Sequence, residues 1–199
     1  MLNRKELKSL AKERMSGNAG MYVGFVVIYV LLISAIGIIA TFLPLGGGIA
    51  AFFAHPVVIV ALTIAFLKFS RGTDISPMDI FRAFNENKLF FRYWIANFRV
   101  SLFASLWSLL LVVPGIIKSI AYSFTYFILE DNPEMTVTEA QKRSIEITKG
   151  HKGELFVLIL SFILWELLVL VTFGIAIIYV LPYIQTTYAN AYRKIINEI

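Results

Sequence analysis

The stretch MYVGFVVIYVLLISAIGIIATFL, residues 21–43, contains no aspartate, glutamate, lysine or arginine, and residues 46–67 form a second such stretch. A helix crosses the hydrocarbon core of a bilayer with about 20 predominantly apolar residues. Each stretch is therefore long enough to span a membrane. Pro44 and Gly46 lie between them, and both residue types end helices, because proline lacks a backbone donor and glycine tolerates positive φ. The sequence thus predicts a transmembrane hairpin that turns at residues 43–46.

Four more apolar stretches follow along the chain, over residues 91–113, 116–129, 155–171 and 175–191. Turn residues separate the members of each pair, at Val113-Pro114-Gly115 and at Thr172-Phe173-Gly174. We therefore predict an all-α polytopic membrane protein with six transmembrane helices arranged as three hairpins. The fourth stretch has only 14 residues, which as a helix reach roughly 21 Å against a hydrocarbon core of about 30 Å. A turn sunk below the outer surface, or a locally thinned bilayer, would accommodate it.

The basic residues are distributed asymmetrically along this pattern. Sixteen of the 18 lysines and arginines lie in the N-terminal segment, in the two segments between hairpins, and at the C-terminus. The three predicted outer turns contain none. Because basic residues mark the cytoplasmic side of membrane proteins, we expect both termini to be cytoplasmic. Anionic lipid headgroups account for these positive charges, so we expect lipids and not nucleic acid as partners.

The composition excludes several classes of function. The 199 residues are 58% hydrophobic and 16% charged, and they include no cysteine and only two histidines. A thiolate nucleophile, a disulfide or a thiolate metal site therefore cannot form, and a histidine metal site would lack ligands. The zinc-protease, nucleophile-elbow and phosphate-loop motifs do not occur in the sequence. We expect no enzyme activity, no cofactor and no metal.

A short amphipathic cytoplasmic helix is predicted before each hairpin. The first, over residues 3–15, is basic, has one apolar face (Leu7, Leu10, Ala11 and Met15), and is expected to lie on the inner leaflet. Residue types that begin helices occur at Asn3-x-x-Glu6, at Ser76-Pro77 and at Thr136-x-x-Glu139. Each amphipathic segment and the hairpin after it form one unit.

The regular succession of these units predicts an internal repeat. A single integral membrane domain, residues 1–199, would then consist of repeats over 1–70, 71–133 and 134–199, comparable to the repeats of many transporters. The alternative is that any series of hairpins anchored at the cytoplasmic side looks equally regular. The sequence leaves both explanations open.

Three ionisable residues lie inside the predicted membrane layer, towards its outer side. Helix geometry places Lys118 roughly 5 Å below its predicted outer turn, and His55 and Glu166 roughly 10 Å below theirs. Ionisable groups within membranes often serve function, so these three are the candidate lining of an outward-opening polar vestibule in which Lys118 and Glu166 can pair. The structural alternative is that Lys118 extends to the headgroups and Glu166 is protonated or bonded to a neighbouring helix.

A fourth ionisable residue, Arg99, lies nearer the cytoplasmic end of its predicted span. Long basic side chains near helix ends extend to the interface, which explains Arg99 without any function. The alternative is a pairing of Arg99 with Glu130 or Asp131, which follow the neighbouring span. Neither explanation requires a functional site.

Short motifs in the second half of the chain are similar to those of a known family. They are Pro114-Gly115-Ile116-Ile117-Lys118, Ala121-Tyr122-Ser123, Glu130-Asp131-Asn132-Pro133, Lys149-Gly150-His151-Lys152-Gly153, Leu155-Phe156, Leu160-Ser161-Phe162, Trp165, Gly174-Ile175, Leu181-Pro182-Tyr183 and Thr187-Tyr188-Ala189-Asn190. These motifs resemble the "domain of unknown function 975" integral membrane proteins of Gram-positive bacteria, while the first half is similar only in layout. The resemblance implies a multi-pass protein of the bacterial plasma membrane, without a particular activity. Lys118 falls inside a matching motif, whereas Glu166 stands where a small or apolar residue is expected.

Two kinds of function agree with these features. The first is a small transporter, or an accessory of a transport or antimicrobial-peptide-resistance system, which the repeat and the polar residues of the outer half favour. The alternative is a membrane scaffold or regulator that binds anionic lipid or a protein partner through its basic cytoplasmic helices. An intramembrane lipid enzyme is disfavoured because catalytic motifs are missing. The sequence leaves the oligomeric state open.

Overall fold

The computed structural model describes residues 2–43, 46–73 and 75–199, and every regular element in these ranges is helical. The α-helices are α1 (Arg4–Met15), α2 (Ala19–Phe42), α3 (Gly46–Arg71), α4 (Arg82–Asn85), α5 (Asn87–Leu110), α6 (Val112–Tyr122), α7 (Thr125–Asp131), α8 (Val137–Ile147), α9 (Lys152–Leu160), α10 (Ile163–Val171) and α11 (Ile177–Ile195). A 3-10 turn, Pro77–Phe81, precedes α4. The predicted all-α class is confirmed.

Four helical segments within the described ranges are long and apolar enough to cross a membrane. They are α2, α3, the pair α6–α7 over Val112–Asp131 and the pair α9–α10 over Lys152–Val171. The other two predicted spans, α5 and α11, are helices of 24 and 19 residues with a larger share of polar side chains. The chain thus has the apolar helices of a membrane protein, while the number of six spans stays a prediction.

The core lies around the second half of α3. Almost every residue from Val57 to Phe69 is buried, and α2, α5, α7 and α11 pack against this helix. The hairpin tips, in contrast, expose large apolar side chains, including Phe42, Leu109 and Phe173. The carboxyl end of α3 lies at one end of the bundle, which we call the basic face. Arg14 of α1 and Arg193 of α11 contact α3 there.

The second hairpin turns at a different place from the predicted one. Leu111 alone leaves the helical conformation, with φ −159° and ψ 138°, and α6 begins directly after it. Pro114 lies in the first turn of α6, where a backbone N–H has no intrahelical partner in any case. Gly115 serves close packing and not a turn, because a β-carbon there would lie 2.6 Å from Ser108 Cα in α5. The turn predicted at Val113-Pro114-Gly115 is therefore wrong.

This correction lengthens the fourth predicted span. Together α6 and α7 cover 20 residues, from Val112 to Asp131, instead of the 14 of residues 116–129. A helix of that length reaches about 30 Å, which matches the hydrocarbon core. A sunken turn or a thinned bilayer is no longer needed to explain this segment.

The other two predicted turns fare differently. The third is confirmed: α10 ends at Val171, and Phe173 and Gly174 adopt positive φ values of 49° and 89° before α11 begins. At the first turn, α2 ends at Phe42 and α3 begins at Gly46, while Pro44 and Leu45 lie outside the described residues.

Two apolar segments that the sequence predicts as single helices are interrupted. The first break, at Ser123 and Phe124, separates α6 from α7, and Ser144 of α8 closes it: the Phe124 N–H donates to Ser144 Oγ at 3.2 Å, and Ser144 Oγ donates to the Ala121 carbonyl at 2.8 Å. The second break, at Ser161, separates α9 from α10. There Lys8 Nζ of α1 donates to the Ser161 carbonyl at 3.0 Å. Side chains from other elements therefore satisfy backbone groups at both breaks.

A proline inside α3 is compensated in a similar way. Pro56 has no N–H, so the carbonyl of Phe52, four residues earlier, loses its helical partner. Trp94 Nε1 of α5 donates to that carbonyl at 3.1 Å. The Trp94 ring also stacks on Phe53 and on Phe98, with centroids 5.1 Å apart in both pairs. This cluster attaches α5 to the first half of α3.

The three predicted amphipathic segments are helical but differ in form. In α1, Asn3 accepts from the Lys5 N–H, but Glu6 pairs with Lys194, so only half of the expected capping box forms. The segment after Ser76 has a capping box but is a 3-10 turn followed by one turn of α-helix. The capping box at Thr136 is complete. The threefold repeat stays a prediction.

Candidate functional site: a cationic groove on the basic face

The three candidate vestibule residues lie on three different helices. His55 is exposed on α3, and Glu166 is exposed on α10, where it borders an apolar groove between α10 and α11. Lys118 is half-buried, and its Nζ lies 4.7 Å from the centroid of the Trp107 ring in its own hairpin. Among the described residues, no hydrogen bond or ion pair joins any two of the three. No such contact joins the three residues in the structure, and the polar vestibule stays a prediction.

Two acidic residues at the end of α7 connect this helix with α3, α5 and α11 at the basic face. Glu130 accepts from Lys68 Nζ of α3 at 2.7 Å and from the Tyr93 hydroxyl of α5 at 3.3 Å. Asp131 accepts two hydrogen bonds from Arg71 of α3, the one to Oδ2 at 2.8 Å, and one from the Tyr192 hydroxyl of α11 at 2.7 Å. We call Glu130, Asp131 and these four partners the acidic junction. Its fork-to-fork geometry at Asp131 is the strong form of an ion pair.

The contacts of the acidic junction also bear on the predicted partner of Arg99. Because Glu130 and Asp131 are bonded to α3, the pairing of Arg99 with either of them is wrong. Arg99 Nε instead donates to Gln141 Oε1 of α8 at 2.7 Å, and the guanidinium lies 5.1 Å from the Phe103 ring centroid. Gln141 is buried, so α8 supplies Arg99 with a polar partner inside the protein.

Several basic side chains bind the carboxyl ends of helices. Arg92 donates to three carbonyls around the end of α7, those of Leu129, Asn132 and Pro133. Arg14 donates to the Phe69 carbonyl at 2.7 Å and Arg193 to the Ser70 carbonyl at 2.6 Å, both at the end of α3. The last carbonyls of a helix have no intrahelical partner and carry partial negative charge, which favours cations. These arginines therefore stabilise the fold, and they are not primarily available to lipid.

The C-terminal residues are held at the same face. Glu198 accepts from Arg71 at 2.9 Å and from Arg193 at 2.9 Å. Burial opposes ionisation of Glu198, but the hydrogen bonds from the two arginines outweigh it, and the pKa of this carboxyl is lowered from its ordinary value. The contact is therefore present above the ordinary pKa of glutamate and is lost as the pH falls through the lowered value.

Helix α1 packs its apolar face against protein. Leu7, Ala11 and Met15 are buried, mainly by α11 and to a smaller extent by α3. The Asn190 side chain donates to the Leu7 carbonyl at 3.5 Å. The sequence predicts that this face lies on the inner leaflet, but in the structure protein covers it. The basic side of α1 is the side that faces away from the core.

A groove with a volume of about 700 Å³ lies between the start of α1 and the α9–α10 break. Its lining residues are Leu2, Asn3, Arg4, Lys5, Lys8 and Ser161. Three of these six side chains are basic and none is acidic. We call this feature the cationic groove.

Lys8 is the innermost of the three cations. Its Nζ donates to the Ser161 carbonyl at 3.0 Å and lies 4.2 Å from the centroid of the Phe162 ring. The pKa of Lys8 is lowered from its ordinary value, first by burial and then by the positive charges of Arg4 and Lys12. An anion in the groove would oppose this lowering.

The chemistry of the cationic groove suits an amphiphilic anion. Ammonium and guanidinium groups are available at its rim, and exposed apolar side chains of the interrupted helix pair, Leu160, Ile163 and Leu164, adjoin Ser161. The Ser161 hydroxyl donates to the Leu158 carbonyl. Across residues 2–43, 46–73 and 75–199, no cluster of three histidine, aspartate or glutamate side chains is placed to hold a metal.

Comparison with protein families finds a match for the second half of the chain. Residues 109–198 match the family described as "Protein of unknown function (DUF975)". The matched segment covers slightly less than half of the chain, and it is similar to the DUF975 family. The resemblance predicted from the motifs is thereby confirmed, while an origin in a Gram-positive bacterium stays a prediction. No curated protein and no solved structure matches the chain.

The DUF975 region supplies one side of both features described above. It contains Glu130, Asp131 and Tyr192 of the acidic junction and Ser161 of the cationic groove, whereas α1 and α3 precede it. Sequence reasoning missed both assemblies. The sequence signal for the acidic junction had two parts. The acidic pair Glu130-Asp131 follows one predicted span, and the basic residues Lys68 and Arg71 end another. Because Lys68 and Arg71 are three residues apart, they share one helix face. A signal for the groove was the serine in the apolar run of residues 155–171.

Proposed function

We propose that the chain is a non-catalytic multi-pass protein of the bacterial plasma membrane that binds anionic lipid headgroups at its cytoplasmic face, as a membrane scaffold or regulator. The observation that carries the proposal is the cationic groove, with three basic side chains, no acidic one and an adjoining apolar surface. The positive-inside pattern of the sequence supports a cytoplasmic position for this face. Anionic lipids give the cytoplasmic leaflet its negative surface potential.

The use of the other basic residues supports the same proposal. Arg14, Arg92 and Arg193 donate to helix-end carbonyls, and Lys68 and Arg71 are bonded to the acidic junction. Within the described part of the chain, the side chains of Arg4 and Lys5 have no assigned hydrogen-bond partner. Neither charge takes part in the contacts described above, which supports a role for them in binding a ligand.

A triple substitution tests the lipid site. In the variant Arg4→Gln, Lys5→Gln, Lys8→Gln, we expect the affinity for phosphatidylglycerol to fall by about 150-fold, since each of the three basic residues near an anionic surface contributes about 1 kcal/mol. Native mass spectrometry of the protein in a mild detergent measures this affinity by lipid titration. Phosphatidylcholine, which has no net charge, should bind both proteins equally.

The matched control is the variant Lys142→Gln, Arg143→Gln, Lys149→Gln. It removes the same charge from exposed positions on and after α8 and should retain the affinity of the unmodified chain. If both triple variants lose the same affinity for phosphatidylglycerol, net charge alone explains the loss. If the first variant binds phosphatidylglycerol as the unmodified chain does, the cationic groove is not the lipid site.

The proposed orientation is tested by cysteine labelling, which is straightforward because the chain has no cysteine. A cysteine in place of Phe173, which is 98% exposed at a hairpin tip, should react with an impermeant thiol reagent added to intact cells. A cysteine in place of Thr73, exposed at the basic face, should react only after the cells are permeabilised. Labelling of the Thr73→Cys variant in intact cells would contradict the orientation.

Transport is a second candidate, favoured by the interrupted helix pairs. Transporters commonly form their substrate sites where membrane helices are discontinuous, and both α6–α7 and α9–α10 are broken within an apolar segment. In this chain, however, Ser144 and Lys8 bond backbone groups at the two breaks, which favours a structural role. A flux assay in proteoliposomes distinguishes the functions, because a scaffold produces no saturable flux.

A further inference from the structure

The cationic groove has more positive charge than a singly charged headgroup requires. We propose that the groove selects a lipid with a phosphomonoester headgroup over phosphodiester lipids. This inference rests on the lipid-binding function given above. A phosphomonoester carries close to two negative charges at neutral pH and presents three terminal oxygens. A phosphodiester headgroup carries one charge on two free oxygens.

The first argument is the density of charge. Arg4, Lys5 and Lys8 lie within the first two turns of one helix and border the same groove, and no acidic side chain lines it. Charge-assisted hydrogen bonds are roughly twice as strong as neutral ones, so each oxygen of a terminal phosphate gains by meeting a separate cation. A headgroup esterified on both sides offers fewer such oxygens and places a polar substituent among the cations.

The second argument is the geometry of Lys8. An ammonium group has three donors. One of them is used by the Ser161 carbonyl at 3.0 Å, and the Phe162 ring lies 4.2 Å away. Lys8 can therefore keep its bond to the helix break and still donate to a phosphate oxygen. This bond also holds the ammonium in one position, which reduces the entropy lost on binding.

The third argument is mutual repulsion among the cations. Burial lowers the pKa of Lys8, and the positive charges of Arg4 and Lys12 lower it further. The groove therefore holds like charges in proximity. A dianion compensates more of this repulsion than a monoanion does.

The exposed apolar surface beside the groove favours a lipid over a soluble phosphate as the ligand. Leu160, Ile163 and Leu164, exposed by 44%, 45% and 79%, continue from Ser161 along the break between α9 and α10. This apolar surface is suited to the acyl chains of a lipid whose phosphate occupies the groove. A soluble phosphate would use only the polar half of the site.

Native mass spectrometry of the full chain, titrated separately with phosphatidic acid and phosphatidylglycerol of the same acyl chains, tests the proposal. We expect phosphatidic acid to bind about 10-fold more tightly, which corresponds to one additional charge-assisted contact. Lys8→Gln should reduce this preference to below about 3-fold, and Lys8→Arg, which keeps the charge, should retain most of it. Lys142→Gln, on the exposed side of α8, should leave the preference unchanged.

The outcomes separate this inference from the proposed function. Equal affinity for the two lipids would overturn the selectivity and leave lipid binding intact, whereas binding of neither would overturn both. Displacement of phosphatidic acid by millimolar inorganic phosphate would identify a soluble ligand instead of a lipid. If Lys8→Gln does not fold, Lys5→Gln, whose side chain has no assigned partner among the described residues, provides the same test, and a full preference in that variant would contradict the proposal.

Discussion

Replacing Asp131 by asparagine should lower the free energy of unfolding by about 2–3 kcal/mol, because it removes one partner of a partly buried ion pair. Asp131 receives two hydrogen bonds from Arg71 and one from the Tyr192 hydroxyl. The side chains of Asp131 and Arg71 are 21% and 24% exposed, so solvent screens the effect only in part. The substitution keeps the shape of the side chain and removes its charge. Unfolding of the detergent-solubilised protein, followed by helical circular dichroism, measures the change.

The matched control for this experiment is Glu146→Gln. Glu146 pairs with Arg143 at 3.1 Å, but its side chain is 64% exposed, and exposed pairs of this kind contribute about 0.5 kcal/mol or less. A destabilisation by Asp131→Asn no larger than that by Glu146→Gln would mean that the acidic junction does not hold α3, α7 and α11 together.

Replacing Gly115 by alanine should destabilise the packing of α6 on α5 by about 2–3 kcal/mol, towards the upper end of the cost of forcing extra volume into a closely packed region. A β-carbon at this position would overlap the Ser108 hydroxyl and lie 2.6 Å from Ser108 Cα. Because the obstructing atoms include backbone, α5 and α6 would have to separate. The unfolding measurement described for Asp131 detects this loss.

The control for Gly115 is Gly37→Ala in α2, where a β-carbon would meet no atom within 4 Å. There alanine should be neutral or stabilising by about 0.5–1 kcal/mol, because it is the better helix former. The double variant Gly115→Ala, Ser108→Gly removes the overlap with the serine side chain but not the overlap with the backbone of α5, and should recover only part of the stability. Equal effects of Gly115→Ala and Gly37→Ala would contradict the close packing of α5 on α6.

The local features of the fold were predictable from sequence because neighbouring residues determine them. The capping box at Thr136 forms with Glu139, three residues later, and the hairpin turn at Phe173 and Gly174 depends on positive φ. The same local reasoning failed at Pro114. Proline and glycine suit both a turn and the first turn of a helix, and only the packing of α6 against Ser108 distinguishes the two.

The partners of the basic residues were not predictable in this way. An asymmetric charge distribution indicates which side of a membrane a loop occupies, but it does not say what each side chain binds. In the structure, Arg92 binds the end of α7, Arg71 binds Asp131, and Lys8 binds the carbonyl of Ser161. These contacts join residues that are far apart in the sequence, so no periodicity or motif contains them.

Composition, period and local motifs were enough to establish that the described residues form only helices, that several of these helices are apolar enough for a membrane, and that the second half of the chain is similar to the DUF975 family. They suffice because each of these properties depends on residues within one segment. The packing of the helices was needed to locate the breaks in α6–α7 and α9–α10, and to show that α1 covers its apolar face with α11. A freed backbone carbonyl or a buried cation is stabilised by whichever side chain the packing brings within hydrogen-bond distance, and that side chain lies in another segment of the chain.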